Sequence, residues 1–195
     1  MLNKTCDLHI HSHYSDSTLT PKDIVRAAKT QGLSCVALTD HDTAEGVPPT
    51  IEAGRRIGIE VLTGIELSSE VNGRDVHILG YLFDAADEAF TEKLGHMQNT
   101  RVERMGQMID KCKEFGIDNI TLDEVAALAK TDSLGRPHLA QIMVEKKWVP
   151  NIKAAFDKYL ADNAPVYVPK FKQTPFEAIQ LIHDAGGVAV LAHPM

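Results

Sequence analysis

The sequence predicts an α/β protein in which a parallel sheet or barrel is joined to a helical insertion. From Cys6 to Leu67, short apolar runs alternate with amphipathic stretches of helical period, which is the rhythm of βαβ units. From Asp87 to about Ala161 the pattern is helical throughout. A strong two-residue hairpin turn, Asn72-Gly73, lies between these two regions.

The first three elements follow from local signals. Cys6–His11 is predicted to be a strand, and the next helix opens at the capping residue Thr20 with Pro21 at its first position. Gly32 is expected to end this helix. The continuous apolar run within Ser34–Thr39 is typical of a buried parallel strand.

A second helix and a further strand repeat this order. The helix is predicted from about Val47 to Ile57, with its end near Gly58, and the strand from Glu60 to Leu67. Because two strands joined through a helix run in the same direction, the first three strands predict a parallel sheet or barrel.

Asn72-Gly73 predicts a hairpin between Glu66–Val71 and Arg74–Phe83. With these two residues as the loop, Val71 pairs with Arg74, Ser68 with His77, and Glu66 with Leu79. Glu66 and His77 are then diagonal neighbours on one face of the hairpin, close enough to share a ligand.

The long helical region is predicted to be an insertion that closes over the site. A capping box at Thr121–Glu124 and helix starts at Pro137 and Asn151 divide it into several helices. The predicted domains are therefore residues 1–94 for the first part of the barrel, 95–165 for the insertion, and 166–195 for the continuation of the barrel.

The last segment is predicted to return to the barrel. A helix from Pro175 to Ala185 and a buried strand from Gly187 to Ala192 lead to His193. The chain then stops directly after a strand, without a closing helix. Because an unprotected strand edge is a liability, we expect the chain to be truncated before the last strands of a longer protein.

Composition argues against several classes of partner. The formal net charge of −7 disfavours binding of long nucleic acid, and no apolar run approaches the roughly 20 residues of a membrane span. Cys6, Cys35 and Cys112 share no close spacing, which disfavours a disulfide framework and predicts a reducing, cytoplasmic location. No feature of the sequence indicates an obligate protein partner.

Histidines and carboxylates recur where the apolar runs end. Asp7, His9 and His11 share one face of the first strand, because side chains alternate along a strand. A lone histidine in such a place is more often structural than metal-binding. The same residue types return, however, at Asp40-His41-Asp42, Glu66, His77 and His193. This recurrence predicts a multinuclear metal site, and hence a metallohydrolase, in which Asp7 and Asp40 orient histidines.

These segments, in this order, resemble the polymerase and histidinol phosphatase (PHP) family of metal-dependent phosphoesterases. The matching segments are Asp7–His13, Ser15–Ser17, Leu38–Asp42, Gly64–Glu66, His77–Tyr81 and Ala192–Pro194. Gly135–His138 and Tyr167–Lys170 resemble the subgroup that acts on nucleotides and oligonucleotide ends. The resemblance implies an irregular (β/α)7, TIM-like PHP barrel with active-site groups at the carboxyl ends of its strands.

The resemblance also implies a ligand set for two to three divalent cations. The ligands would be His9, His11 and Glu66 for a first ion, Glu66 with His77 and His193 for a second, and Asp16 with His41 for a third. The family completes the first and third sites with an Asp-x-His pair, and no such pair follows His193 here. Manganese is the expected metal, and zinc and iron suit the same mixed ligands.

Three residues of the matching segments are candidates for substrate binding: Arg136, His138 and Lys170. Arg136 can hold a phosphate bidentately. His138 can donate a hydrogen bond to a phosphate or act as the acid that protonates a leaving oxygen. The alternative is that Arg136-Pro137-His138 only begins a helix.

The predicted reaction is hydrolysis of a nucleotide phosphate ester by a metal-activated hydroxide. The candidate substrates are the 3′-phosphate of a nucleoside 3′,5′-bisphosphate such as pAp, and short oligonucleotides cut from a 5′-phosphorylated end. Two alternatives are open: hydrolysis of histidinol phosphate, and a non-catalytic module that metal ions stabilise. The predicted partner is a small nucleotide or short oligonucleotide.

Overall fold

A computed structural model describes residues 5–129, 134–169 and 173–194 of the chain. The strands are β1 (Cys6–Ile10), β2 (Cys35–Leu38), β3 (Glu60–Val71), β4 (Arg74–Tyr81) and β5 (Val188–Leu191). The helices are α1 (Pro21–Thr30), α2 (Val47–Ile57), α3 (Glu88–Glu114), α4 (Leu122–Ala129), α5 (Arg136–Glu145), α6 (Ile152–Ala155) and α7 (Pro175–Asp184). A π-helical turn, Phe156–Leu160, continues α6. Within the described ranges the protein is therefore a mixed α/β fold with five strands.

The helix boundaries follow the predicted caps. The Thr20 hydroxyl accepts a hydrogen bond from the backbone N–H of Asp23 at 3.2 Å, and Pro21 is the first residue of α1. α2 spans Val47–Ile57 and ends at Gly58, whose φ is 73°. The predictions for α1 and α2 are therefore confirmed.

The five strands lie side by side in chain order, β1-β2-β3-β4-β5. β1, β2 and β3 are mutually parallel, as predicted, and β4 is antiparallel to both β3 and β5. The hairpin register is also confirmed: Val71 faces Arg74, Ser68 faces His77, and Glu66 faces Leu79. Asn72 and Gly73 both have positive φ, 51° and 75°, as the two-residue turn requires.

β5 differs from its prediction as a buried strand. The exposed fractions of Val188, Val190 and Leu191 are 54%, 44% and 52%. β5 is the edge strand of the described sheet and pairs with β4 alone there. An apolar run predicts that a strand can be buried, but the tertiary structure decides which elements pack against it.

The chain divides into two compact units. The first, Met1–His96 with Lys172–Met195, contains the sheet with α1, α2 and α7. Part of its core lies between α1 and the sheet, where Val25, Ala28, Val36 and Ile59 pack together. The predicted domain boundaries at 94/95 and 165/166 stay predictions.

The second unit, Met97–Phe171, has a hydrophobic core of its own. Met105, Met108 and Met143 are buried there with Leu139 and Leu160, so these methionines are packing residues. None of the helices in residues 5–129, 134–169 and 173–194 has both the length and the apolar character to cross a bilayer.

Candidate metal centre

All five strands bring a candidate metal-ligand side chain to one place. β1 carries His9, β3 carries Glu66 and β4 carries His77. His41 follows β2, where it forms an isolated parallel bridge with Glu66, and His193 follows β5. The strands lie side by side in chain order. Side chains as far as 127 positions from Glu66 in the sequence therefore come close to it on β3.

The Glu66 carboxylate lies at the middle of this cluster and is 1% exposed. Its Oε2 is 2.9 Å from His9 Nε2 and 3.0 Å from His11 Nε2. Its Oε1 is 2.8 Å from His77 Nδ1 and 3.0 Å from His193 Nε2. Two imidazoles therefore lie at each oxygen of this carboxylate.

Asp16 and His41 form a second part of the cluster. Asp16 Oδ1 lies 3.4 Å from His11 Nδ1, and Asp16 Oδ2 lies 3.6 Å from His41 Nε2. His41 Nδ1 is 3.6 Å from Glu66 Oε2. His11 and His41 thus join the exposed Asp16 to the buried Glu66.

The protonation states suit a cation site. Burial acts to raise the pKa of Glu66, but hydrogen bonds from His11, His77 and His9 outweigh it, so this pKa lies well below its ordinary value. Burial lowers the pKa of His41 to about 4. His41 is therefore neutral at pH 7, which is the form that ligates a metal.

The donors present fit divalent cations. Three groups have ligand atoms that all lie within 4.8 Å of one another: His9-Glu66-His193, His11-Asp16-His41 and His41-Glu66-His77. Donors bound to one ion at about 2.1 Å lie roughly 3 Å apart, close to the separations around Glu66. In addition, the buried Nδ1 of His41 has no hydrogen-bond partner among the described residues. Imidazole and carboxylate donors together suit manganese, zinc or iron. The assignment of residues to individual ions stays a prediction.

The aspartates near the cluster bond mainly to backbone and serine groups. Asp7 Oδ1 accepts from the backbone N–H of His9 at 3.2 Å. Asp42 Oδ1 accepts from the backbone N–H of Ser68 at 2.6 Å. Asp40 accepts from Ser12 and Ser15, and Ser15 Oγ lies 3.5 Å from His11 Nδ1. Asp40 thus reaches a histidine through a serine.

The candidate substrate residues lie in the second unit. Arg136 is the first residue of α5, and its Nη1 donates to Leu160 O at 2.9 Å and to Asp162 Oδ1 at 2.6 Å. His138 Nδ1 accepts from the backbone N–H of Gly135 at 3.1 Å. Arg136 does begin a helix, and its guanidinium also joins a cluster that contains Asp162, Tyr167 and a second arginine. Lys170 lies outside the described residues.

Sequence reasoning missed one member of that cluster, Arg104 on α3. Its Nε donates to Val168 O at 2.7 Å, and its guanidinium lies 5.8 Å from the centre of the Tyr167 ring. The Arg136 guanidinium lies 5.3 Å from the same ring. Burial, and after it the charge of Arg136, lowers the pKa of Arg104. In the sequence Arg104 looks like any charge on an amphipathic helix, so no local signal marks it.

The model for the PHP domain family matches residues 7–161 of the chain. The chain belongs to the PHP family. The resemblance inferred from the ordered histidine and carboxylate segments is therefore confirmed.

Similar proteins carry phosphoesterase names. A 5′-3′ exoribonuclease of Haemophilus influenzae is 37% identical over 194 residues, which cover 100% of this chain and 70% of the relative. A 3′,5′-nucleoside bisphosphate phosphatase of Chromobacterium violaceum is 34% identical, with 96% of this chain and 66% of the relative covered. These names agree with the predicted reaction.

A solved structure is similar over nearly the whole chain. It is the crystal structure of a predicted metal-dependent phosphoesterase from Bifidobacterium adolescentis. The TM-score is 0.84 at 31% identity, with 98% of this chain and 67% of that chain covered. This chain thus spans about two thirds of the length of the proteins it matches.

Proposed function

We propose that this chain forms the site of a metal-dependent phosphoesterase that hydrolyses nucleotide phosphate esters. The observation that carries the proposal is the buried Glu66 carboxylate with two imidazoles at each oxygen. The candidate substrates are a nucleoside 3′,5′-bisphosphate that loses its 3′-phosphate and a short oligonucleotide shortened from its 5′-phosphorylated end. The names of the two relatives favour these candidates over histidinol phosphate.

Two to three divalent cations, manganese first among them, are the proposed cofactors. The residues that would hold them are His9, His11, Asp16, His41, Glu66, His77 and His193. When bound, such ions lower the pKa of water and neutralise charge on phosphoryl oxygens. The chain itself supplies the orientation, because His9, Glu66 and His77 are mounted on paired strands whose register is fixed by backbone hydrogen bonds.

Arg136 is the proposed grip on the substrate's 5′-phosphate, and Arg104 contributes to the same positive cluster. Asp162 is the one carboxylate bonded to this pair among the described residues, and it is exposed. Two half-buried guanidiniums against one carboxylate leave an excess positive charge, which favours an anion. Guanidinium donors also match the geometry of phosphate oxygens.

His138 is the proposed hydrogen-bond donor to a phosphate or leaving oxygen. Burial lowers the pKa of His138, so the ring is neutral at pH 7. Its Nδ1 accepts from Gly135, so the remaining proton is on Nε2. That N–H is the group that can donate.

For the fold, we propose an irregular, seven-stranded PHP barrel as the architecture to which the five-stranded sheet belongs. The parallel run β1-β2-β3 and the chain-order arrangement of all five strands support it. In such a barrel the catalytic groups lie at the carboxyl ends of strands, which is where His41 and His193 are found.

The test is an assay of the Mn²⁺-loaded chain on a nucleoside 3′,5′-bisphosphate, a short 5′-phosphorylated RNA and histidinol phosphate. Glu66→Gln should reduce kcat on the preferred substrate by more than about 100-fold, beyond the usual effect of residues that only support a ligand. Glu60→Gln changes an exposed carboxylate of the same strand and should leave kcat unchanged.

Three outcomes would contradict the proposal. Preferential turnover of histidinol phosphate would assign the site to a different phosphoesterase. Bound Mn²⁺ without turnover of any of the three substrates would favour the structural module. Full activity of Glu66→Gln would remove the carboxylate from the reaction.

A further inference from the structure

Asp40, directly after β2, is a buried carboxylate held by two serines. It is 1% exposed, and Ser12 and Ser15 are buried with it. Its Oδ1 accepts from the Ser12 backbone N–H and the Ser15 hydroxyl, each at 2.6 Å, and its Oδ2 accepts from the Ser12 hydroxyl at 2.6 Å. These are short, charge-assisted hydrogen bonds.

The surroundings leave this carboxylate little freedom. A Cβ added at Gly46 would lie 2.9 Å from Asp40 Oδ2 and 2.6 Å from Leu38 Cδ2. The backbone at the start of α2 therefore packs against the carboxylate. No Lys, Arg or His forms an ion pair with Asp40 in the described ranges, so a buried charge depends on neutral donors alone. Such an arrangement is costly unless every lone pair is satisfied.

The two serines belong to the segment between two candidate ligands, His11 and Asp16. Ser15 Oγ lies 3.5 Å from His11 Nδ1 and 3.3 Å from Asp16 Oδ1. Ser15 has a single O–H, and the 2.6 Å bond directs it to Asp40. The Ser15 oxygen therefore faces His11 Nδ1 as an acceptor.

This hydrogen-bond direction favours a proton on Nδ1 of His11. Both oxygens near its Nδ1, those of Ser15 and Asp16, are acceptors, so a ring proton is held on Nδ1. In the metal-free chain, His11 Nε2 faces Glu66 Oε2 at 3.0 Å and donates a hydrogen bond to it. A bound cation would take the place of that proton. A neutral imidazole ligates through the nitrogen without the proton.

We infer that Asp40 is a positioning residue that acts through Ser12 and Ser15 on His11 and Asp16. It sets the ring orientation of His11 and fixes the loop that carries Asp16. The inference rests on the proposed function, since it concerns the same cation cluster. It assigns Asp40 no contact with substrate or cation.

The test compares Asp40→Asn with Ser15→Ala and with Thr50→Val. Asp40→Asn keeps the shape but replaces an acceptor oxygen by a donor. Ser15→Ala removes one hydroxyl, with its bond to Asp40 and its contacts with His11 and Asp16. Thr50→Val is the structural control, because it removes a buried hydroxyl that donates to Gly46 O at the start of α2. Mn²⁺ affinity is measured by titration calorimetry, and Tm is measured on the metal-free chain.

Asp40→Asn and Ser15→Ala should each weaken Mn²⁺ binding by about 10- to 100-fold, as loss of a residue that supports a ligand does. The double variant should be little worse than the stronger single one, because both act through one contact. Thr50→Val should lower Tm and leave Mn²⁺ affinity unchanged.

The outcomes separate this inference from the proposed function. Wild-type Mn²⁺ affinity in both Asp40→Asn and Ser15→Ala, with only a lower Tm, would reduce Asp40 to a structural role while the metal site stands. Absence of Mn²⁺ binding to the wild-type chain would instead remove the proposed function itself. If Asp40→Asn does not fold, Ser15→Ala alone decides.

Discussion

The two units of this chain handle charge in opposite ways. In the first, a buried carboxylate, Glu66, is surrounded by imidazoles that strands deliver from across the sheet. In the second, the guanidiniums of Arg104 and Arg136 lie near one tyrosine ring, and most of their bonds go to backbone carbonyls. The first arrangement offers donors that could bind cations, whereas the second carries an excess of positive charge.

The difference also concerns which elements hold the groups. Strand register sets the distance between Glu66 and His77, so those donors are held by a ladder of backbone hydrogen bonds. Arg104 and Arg136 are long side chains on helices, held by a methionine-rich core. We therefore expect changes in the first unit to act on metal affinity and kcat, and changes in the second to act on KM.

Removal of divalent cations should have the largest effect on turnover, and it should affect the first unit without affecting the second. Chelation should reduce turnover by more than about 1,000-fold, because the proposed metal ions would supply the activation of the attacking water. Trp148, the single tryptophan, donates to Asn119 Oδ1 at 2.7 Å within the second unit, so its fluorescence should not change. A shift of Trp148 emission on chelation would contradict this separation.

His77→Ala should weaken Mn²⁺ binding by at least about 10-fold, because its Nδ1 faces Glu66 Oε1 at 2.8 Å. The matched control is His183→Ala, an exposed histidine of α7 in the same unit, which should bind Mn²⁺ as the wild type does. Calorimetric titration measures both. Equal affinities in the two variants would remove His77 from the cluster.

Arg104→Ala should raise KM for a 5′-phosphorylated substrate by roughly 10-fold, which is the usual size of one charge-assisted contact. Mn²⁺ affinity should not change. Arg104→Lys keeps the charge but not the planar fork, so it should recover only part of the loss. An unchanged KM in Arg104→Ala would assign Arg104 to packing alone.

The smallest effects are expected at two similar helix caps, one in each unit. Thr174 caps α7 with Glu177, and Thr121 caps α4 with Glu124, which also bonds Lys146. Thr174→Ala and Thr121→Ala should each lower the free energy of unfolding by about 1 kcal/mol. Urea denaturation at pH 7 measures both, with Thr5→Ala as an exposed control.

These caps also predict a pH dependence. Hydrogen bonds from Thr174 lower the pKa of Glu177, and a hydrogen bond from Lys146 lowers that of Glu124. A carboxyl with a lowered pKa stabilises the fold above its ordinary pKa of 4.5 and loses that contribution as the pH falls. The difference in stability between each Thr→Ala variant and the wild type should therefore shrink below about pH 4.

Much of the local structure was predictable because its signals are short-range. Thr20 with Pro21, and Gly58, define helix ends through bonds within one turn. Asn72-Gly73 defines a register that brings Glu66 to His77, only 11 positions away. The candidate ligand residues also stood out, because several histidines beside carboxylates are hard to explain as packing.

Other features were not predictable from neighbours in the chain. Arg104 meets Val168 across 64 positions, and nothing around either residue marks the pairing. The partners of Asp40 lie 25 and 28 positions earlier. The exposure of β5 depends on which elements cover it, and an apolar run does not contain that information.

The sequence by itself determined the family, the order of strands and helices, and the kinds of atoms available for cations and phosphates. The tertiary structure alone decided that His9, Glu66 and His193 meet, and that two serines hold Asp40. The physical reason is range. Caps and turns are settled by bonds between residues a few positions apart, whereas the meeting of distant side chains depends on how strands pair across the sheet.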